Sequence, residues 1–376
     1  MKILITGGAG FIGSHLSVEL QKQGHEVTVI DILSPQIHGK NPEDSPLFRS
    51  IKDKVNFVRS DIRNKEILSP LIEKTEVVIH LVAETGTGQS MYEIERYTNV
   101  NVVGLACLLD CLANTPNHVK KLVLSSSRAV YGEGKYQCEK DGFIYPDARK
   151  IEHLKQGIFE ILCPKCGDKA RCVPTDEQSE LKPQSLYALN KRTQEELVSF
   201  ISETIGIPSI LLRYQNVYGP GQSLTNPYTG ILSIFSTQLR LGNDLNIFED
   251  GQESRDFVYI DDVVNATILA CMDKTFTCQT YNVGSGERQT VLQIAELLKT
   301  AYQSKSKITV SGNFRIGDIR HNIANISAIK KNLNFFPRVS FKEGITKYVD
   351  WVKGEDLNDN QYQKSLEEMK KRGLLQ

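Results

Sequence analysis

Short apolar runs and amphipathic stretches take turns along the first two hundred residues of this chain. Lys2 to Thr6 reads as a buried strand and breaks on glycines. Phe11, Ile12, Leu16 and Leu20 then recur at helical spacing up to Gln23, and Gly24 closes the segment. Further strand-like runs lie at Glu26–Ile30, Val55–Val58, Val77–Leu81, Leu122–Ser125 and Ser209–Arg213, with helical patterns at 65–74, 92–113 and 187–205. Strand alternating with helix predicts an α/β fold, a doubly wound parallel sheet joined by right-handed crossovers. After Arg213 proline and glycine concentrate, in Tyr218-Gly-Pro-Gly221 and Asn226-Pro-Tyr-Thr-Gly230, and the rhythm changes. Helices are expected there at 229–241, 263–272, 290–303 and 359–372. Residues 133–183, rich in Lys, Asp, Pro and Cys, show no period and read as an insertion in the sheet domain.

Composition narrows the class. The 376 residues are 40% hydrophobic and 24% charged, an ordinary globular balance with room for about two domains. Lys and Arg number 45, Asp and Glu 45, which argues against a nucleic-acid or anionic-lipid surface. No apolar run approaches the ~20 residues of a membrane helix, and Ile3-Leu4-Ile5 is too short for a signal-peptide core. Eight cysteines are too few for a disulfide scaffold in a chain this long, and free thiols suit a reducing compartment. The expectation is a cytoplasmic protein.

Thr6-Gly7-Gly8-Ala9-Gly10-Phe11-Ile12-Gly13 lies between a predicted strand and a predicted helix, the context a dinucleotide loop requires. Glycine is needed where the turn is tight and where backbone approaches a pyrophosphate, and the helix start supplies free N–H groups. Asp31 follows at the end of the second strand, where a carboxylate accepts from both ribose hydroxyls. This pattern predicts NAD rather than NADP, held by Gly7, Gly10, Phe11, Ile12, Gly13 and Asp31. Tyr187 and Lys191 are spaced i, i+4 on one helix face, so the ammonium favours the phenolate. Ser127 ends a buried strand at the edge where doubly wound sheets bind ligands. His80, after a buried run, reads as a hydrogen-bonded core residue, and Arg213 as structural.

Together these residues make the chain resemble the extended short-chain dehydrogenases/reductases of the NAD-dependent epimerase/dehydratase family, and among them the nucleotide-sugar 4-epimerases. The resemblance covers nearly the whole chain. It implies a Rossmann-type domain of residues 1–213 and 257–283, and a smaller α/β substrate domain of 214–256 and 284–376. It assigns the adenine side to Asp61 and Ile62, a cofactor contact to Ala83 and a supporting role to Asn101. It also gives catalytic roles to Ser127, Tyr187 and Lys191, with Lys191 holding the nicotinamide ribose too. Asn216, Arg255 and Arg315 would bind the substrate diphosphate; the plain alternative for Arg255 is an ion pair with Asp256 or Asp261. The Ser125–Gly132 stretch contains none of the acids with which dehydratases of the group expel water, which favours epimerisation. The loop Gly86-Thr87-Gly88-Gln89-Ser90-Met91-Tyr92 resembles that of epimerases acting on dTDP-L-rhamnose, making Thr87 and Gln89 substrate contacts; its plain reading is a turn in which Gln89 and Ser90 cap a helix. Arg128 departs from the small residue usual in glucose epimerases. Family members dimerise through two helices, here 92–113 and 187–205, so a homodimer is expected. Same-fold alternatives are a UDP-hexose epimerase, a dehydratase, a reductase or a decarboxylase; a different class is an NAD-binding regulator.

The stretch from Ser127 to Tyr187 exceeds the family's usual length of roughly 25, and the excess holds four cysteines. Cys163-Pro-Lys-Cys166-Gly167 has the form of a zinc knuckle. Cys138 and Cys172 would complete a structural Cys₄ zinc site, with Asp141 a rival fourth ligand. Cys107, Cys111 and Cys271 fall on apolar helix faces and read as core thiols.

Overall fold

The computed structural model describes residues 1–224, 226, 230–357 and 362–376. Seven strands form the main sheet: β1 (Lys2–Thr6), β2 (Glu26–Asp31), β3 (Asn56–Arg59), β4 (Val77–His80), β5 (Lys121–Ser127), β6 (Ser209–Tyr214) and β7 (Gln279–Val283). All pair in parallel, in the order β7-β6-β5-β4-β1-β2-β3. The order reverses beside β1, so a crevice opens at the carboxyl ends of β1 and β4.

Both faces of the sheet are covered, which is why its strands read as continuous apolar runs. Along β1, Ile3 and Ile5 point into one core with Val29, Leu16, Leu20 and Val263, while Leu4 points into the other with Ile30, Val78, Leu105 and Leu108. Most predicted helices stand within three residues, at Phe11–Lys22, Lys65–Glu73, Leu186–Ile205, Ile231–Arg240, Ile260–Met272 and Val291–Ala301. The predicted 92–113 segment divides: Ile94–Thr98 is α-helical, Asn99–Val103 is a π-turn, and Gly104–Asn114 resumes the α-helix. The last helix is Tyr362–Lys371. Thr229 and 359–361, where two predicted helices begin, lie outside the described residues.

Two elements escaped the pattern. β7 is short and half polar, and the helix Phe341–Gly354 carries a glycine in its interior. That glycine has a packing reason: a Cβ on Gly344 would stand 2.0 Å from the Tyr218 hydroxyl. Apart from β7, the strands beyond β6 come in pairs, Asn216–Tyr218 with Phe257–Tyr259, Leu245–Ile247 with Ile308–Val310 and Ser254–Arg255 with Gln289–Thr290. The aperiodic 133–183 segment contains a three-stranded antiparallel sheet of Gly142–Ile144, Tyr136–Cys138 and Arg171–Cys172. Strands of two or three residues are too short for a period of two to register. No helix among the described residues is long and apolar enough to cross a membrane.

Candidate active site

A cavity of about 800 Å³ opens at the carboxyl edge of the sheet. Gly7, Gly10, Phe11, Ile12, Gly13, Asp31, Asp61, Ile62, Ala83, Ser127, Tyr187, Lys191 and Asn216 all line it. Glycine is required in the loop for stated reasons. Gly7 has φ +74° and its Cβ would meet Val82 N at 2.7 Å; a Cβ on Gly13 would meet Gly8 Cα at 2.5 Å. The helix Phe11–Lys22 starts at Gly10 with no side-chain cap, leaving its first N–H groups for an anion. Asp31 Oδ2 accepts from Ala9 N–H at 3.0 Å and Oδ1 from Leu33 N–H at 2.8 Å, so the carboxylate ties the loop to the end of β2. Each oxygen keeps a lone pair for a hydroxyl donor. Asp61 is paired with Arg63, which holds its carboxyl below the usual range.

Ser127 closes β5, and Tyr187 and Lys191 sit in the first turns of Leu186–Ile205, whose start is capped by Ser185 Oγ accepting from Ala188 N–H at 3.2 Å. Burial holds the Tyr187 phenol above its ordinary pKa, against the opposing pull of a hydrogen bond with Ser127 and of the Arg128 charge. Lys191 is turned onto the Ser125 carbonyl at 2.7 Å, and burial pushes its ammonium down to about 7 against the pull of Glu195. The groups that favour the phenolate are thus Ser127 and Arg128 rather than the expected Lys191. His80 is fully buried, bonded through Nδ1 to Thr6 Oγ1 at 2.8 Å, and kept neutral by burial. Arg213 forms a buried bidentate pair with Glu195, which also receives the Ser126 hydroxyl.

The glycine-glutamine-serine loop is placed differently from the expectation. Thr87 is exposed, and neither Thr87 nor Gln89 lines the cavity; Glu84, Thr85 and Gly86 do. Gln89 is buried and spent on Gln36, Glu93 and Tyr97. Ser90 caps a helix, but a distant one: its Oγ accepts from Tyr187 N–H at 3.1 Å while donating to the Thr87 carbonyl at 2.7 Å. Asn101 exchanges both amide bonds with the Glu84 backbone, at 2.8 and 3.1 Å, and Gln194 holds the Asn101 carbonyl at 2.6 Å. Ser90 was legible as a cap but not as the cap of this helix, and Gln194 had no sequence signal beyond its residue type.

Arg255 and Arg315 do not line the cavity. Arg255 pairs with Asp318 at 2.7 Å and donates to the carbonyls of Ser254, Ile319 and Arg320. Its ion-pair partner is thus neither Asp256 nor Asp261. Successive strand residues face opposite ways, and Asp256 is occupied by the N–H groups of Ser285, Gly286 and Ala324. Arg315 lies over the Phe248 ring at 4.8 Å, with a buried Nε that lacks a partner. Glu133, one residue past the acid-free stretch, is fully buried and raised to about 7 by desolvation, but it faces Arg149 and the Arg320 N–H rather than the cavity.

Cys172 stands outside the thiol cluster. It is in register with Tyr136, two positions along the strand from Cys138, a displacement of roughly 7 Å. Cys138, Asp141, Cys163 and Cys166 are the residues that converge.

A parallel sheet with a glycine loop at its switch point, and Ser, Tyr and Lys beside the same crevice, defines a dinucleotide-dependent enzyme of the doubly wound class. The profile of the NAD dependent epimerase/dehydratase family matches residues 3–148 and 164–284, and the chain belongs to that family. It is 36% identical to the dTDP-L-rhamnose 4-epimerase of Burkholderia thailandensis, over 94% of this chain and 95% of that one. The UDP-glucose 4-epimerase of Thermotoga maritima, solved with UDP-glucose, superposes with a TM-score of 0.74 at 29% identity, covering 94% of this chain and 99% of that one. The UDP-glucuronic acid 4-epimerase of Bacillus cereus, solved with UDP-glucuronic acid and NAD, superposes with a TM-score of 0.75 at 27% identity, with the same coverage of 94% and 99%.

Proposed function

We propose that this enzyme is a nucleotide-sugar 4-epimerase whose substrate is dTDP-L-rhamnose and whose product is dTDP-6-deoxy-L-talose. The observation that carries the reading is the convergence of Ser127, Tyr187 and Lys191 on a crevice in which no carboxylate stands beside the serine. Of the carboxylates that line it, Asp31 ends β2, Asp61 follows β3, Glu355 follows the helix Phe341–Gly354, and Glu84 is tied to Arg96 at 2.8 Å. Without an acid to protonate a leaving hydroxyl, the chemistry left is at the carbinol. The identity with the Burkholderia thailandensis enzyme supports the choice of sugar.

NAD, held by Gly7, Gly10, Phe11, Ile12, Gly13, Asp31, Asp61, Ile62 and Ala83, supplies reversible hydride uptake when bound. Tyr187 takes the proton of the C4 hydroxyl and returns it after the sugar has turned over in the crevice. Ser127 donates a hydrogen bond to the same oxygen, and Lys191 orders the ribose. Asn216 Oδ1, buried without a partner, awaits a donor from the substrate. The Arg128 side chain does not line the cavity, but it makes no hydrogen bond or ion pair among the described residues and lies close enough to Tyr187 for each to shift the other's titration, which leaves its guanidinium free for a substrate oxygen. Arg315, which has no carboxylate partner among the described residues, keeps donors for the diphosphate that Arg255 spends on Asp318 and backbone carbonyls.

A homodimer fits the reading. Leu189 and Phe200, three turns apart on one face of Leu186–Ile205, are 49% and 71% exposed. Phe200→Glu is expected to convert dimer to monomer in light scattering; an unchanged mass would remove this face from the interface. The substrate claim is tested by kcat/KM for dTDP-L-rhamnose, UDP-glucose and UDP-glucuronic acid. The proposal expects the first to lead by at least about tenfold, the ~1.4 kcal/mol of a single net hydrogen bond. A UDP-sugar in first place would reassign the substrate.

A further inference from the structure

Four ligand-type atoms converge beside the small antiparallel sheet: the sulfurs of Cys138, Cys163 and Cys166 and a carboxylate oxygen of Asp141, all within 4.8 Å of one another. We propose that they form a tetrahedral Cys₃Asp site for structural zinc, and that Cys172 is not a ligand. With Zn–S of about 2.3 Å and Zn–O of about 2.0–2.2 Å, a tetrahedron sets sulfurs about 3.8 Å apart and sulfur from oxygen about 3.5 Å. The Cys138 and Cys166 sulfurs are 3.5 Å apart, and Asp141 Oδ2 lies 3.6 Å from Cys138 Sγ and 3.1 Å from Cys163 Sγ. A disulfide would need about 2.05 Å, and all eight cysteines are free.

The backbone is shaped for the same purpose. Gly167, at φ +79°, donates its N–H to the Cys163 carbonyl at 2.9 Å, and the Cys163 N–H is taken by the Asp168 carbonyl at 2.7 Å. This folds the knuckle so that two sulfurs face one point. Need for a staple follows from the size of the local core, whose buried members are Tyr136, Cys138, Ile144, Ile161, Cys163 and Ala170. So few apolar residues do not offset the cost of ordering the segment.

The staple has work to do beyond its own segment. Asp141 and Cys163 bracket the stretch that carries Arg149 and Glu160. Arg149 grips Glu249 at 2.7 and 2.8 Å and the Asp318 carbonyl at 2.9 Å, and Glu160 holds Arg320 at 2.8 Å. Asp318 in turn holds Arg255. The zinc site thereby anchors the ionic wall of Arg149, Glu160, Glu249 and Arg320.

Metal analysis of the full-length reduced protein by plasma mass spectrometry tests this directly. About one zinc per chain is expected after exhaustive dialysis, together with the visible bands of tetrahedral cobalt when Co²⁺ is loaded instead. Cys172→Ser is expected to keep full zinc content and the cobalt bands, whereas Cys163→Ser and Asp141→Ala lose at least about 90% of retained zinc. The wild-type measurements stand even if a ligand variant fails to fold. Wild-type protein that retains no zinc and gives no tetrahedral cobalt spectrum overturns the site. Zinc lost in Cys172→Ser but kept in Asp141→Ala overturns the ligand assignment.

Discussion

The carboxyl edge of the main sheet and the 133–183 segment solve the same problem, fixing polar side chains in place, by different means. At the sheet edge the backbone is held by two apolar cores, and the functional groups are few and short: Ser127, Tyr187, Lys191 and the glycine loop. In the inserted segment the core is small, and position is held by charge: Arg149, Glu160, Glu249 and Arg320 form a buried network, with the thiol cluster at its far end. The first arrangement tolerates a missing polar group with its frame intact. The second loses its frame when one charge goes, because a buried ion without its partner costs more than the pair contributes.

Substitutions in the two regions should therefore fail differently. Tyr187→Phe is expected to lower kcat by about 10²–10⁴ with unchanged folding and NAD content, read by turnover beside circular dichroism. Full activity would remove Tyr187 from proton transfer. Arg320→Ala, fully buried between Glu160, Glu249 and Asp250, is expected to cost about 3–5 kcal/mol in urea unfolding. A loss below 1 kcal/mol would show that the wall is not charge-held.

Glu133 sharpens the contrast through pH. Its folded pKa, about 7, lies above the ordinary carboxyl value, so its contribution to stability is fully present below pH ~4.5 and is lost as pH rises through about 7. Glu133→Gln removes that dependence. Relative to wild type the variant should gain about 3 kcal/mol between pH 5 and pH 8, measured by urea unfolding at both. A constant difference would mean the carboxyl titrates normally. The smallest effect is expected for Ser90→Ala, which frees the Tyr187 N–H: about 1 kcal/mol of stability and a few-fold loss of kcat. Loss of stability with kcat untouched would make Ser90 a cap and nothing more.

The same division governs what could be read from the sequence. Strands buried on both faces and helices with a regular apolar stripe announce themselves, and a glycine loop followed by an acid, with Tyr and Lys one turn apart, fixes the site because those relations are local. Long-range register is not local. Cys172 has the residue type of a ligand, yet its pairing with Tyr136 sets it two positions from the cluster, where Asp141, three residues from Cys138, arrives instead. Arg255 likewise finds Asp318 across the fold because strand alternation turns its neighbour Asp256 away. The Gln89–Ser90 loop was legible as a turn with a cap; that the capped helix carries Tyr187 depends on packing nearly a hundred residues apart.

The central claim is hydride removal and return at C4 with the cofactor retained. Proton NMR of the purified enzyme with dTDP-L-rhamnose in D₂O, with no cofactor added, tests it most directly. The account predicts growth of the C4 epimer with no deuterium in the sugar ring. Ring deuteration or loss of water would contradict it and establish carbon-acid chemistry in its place.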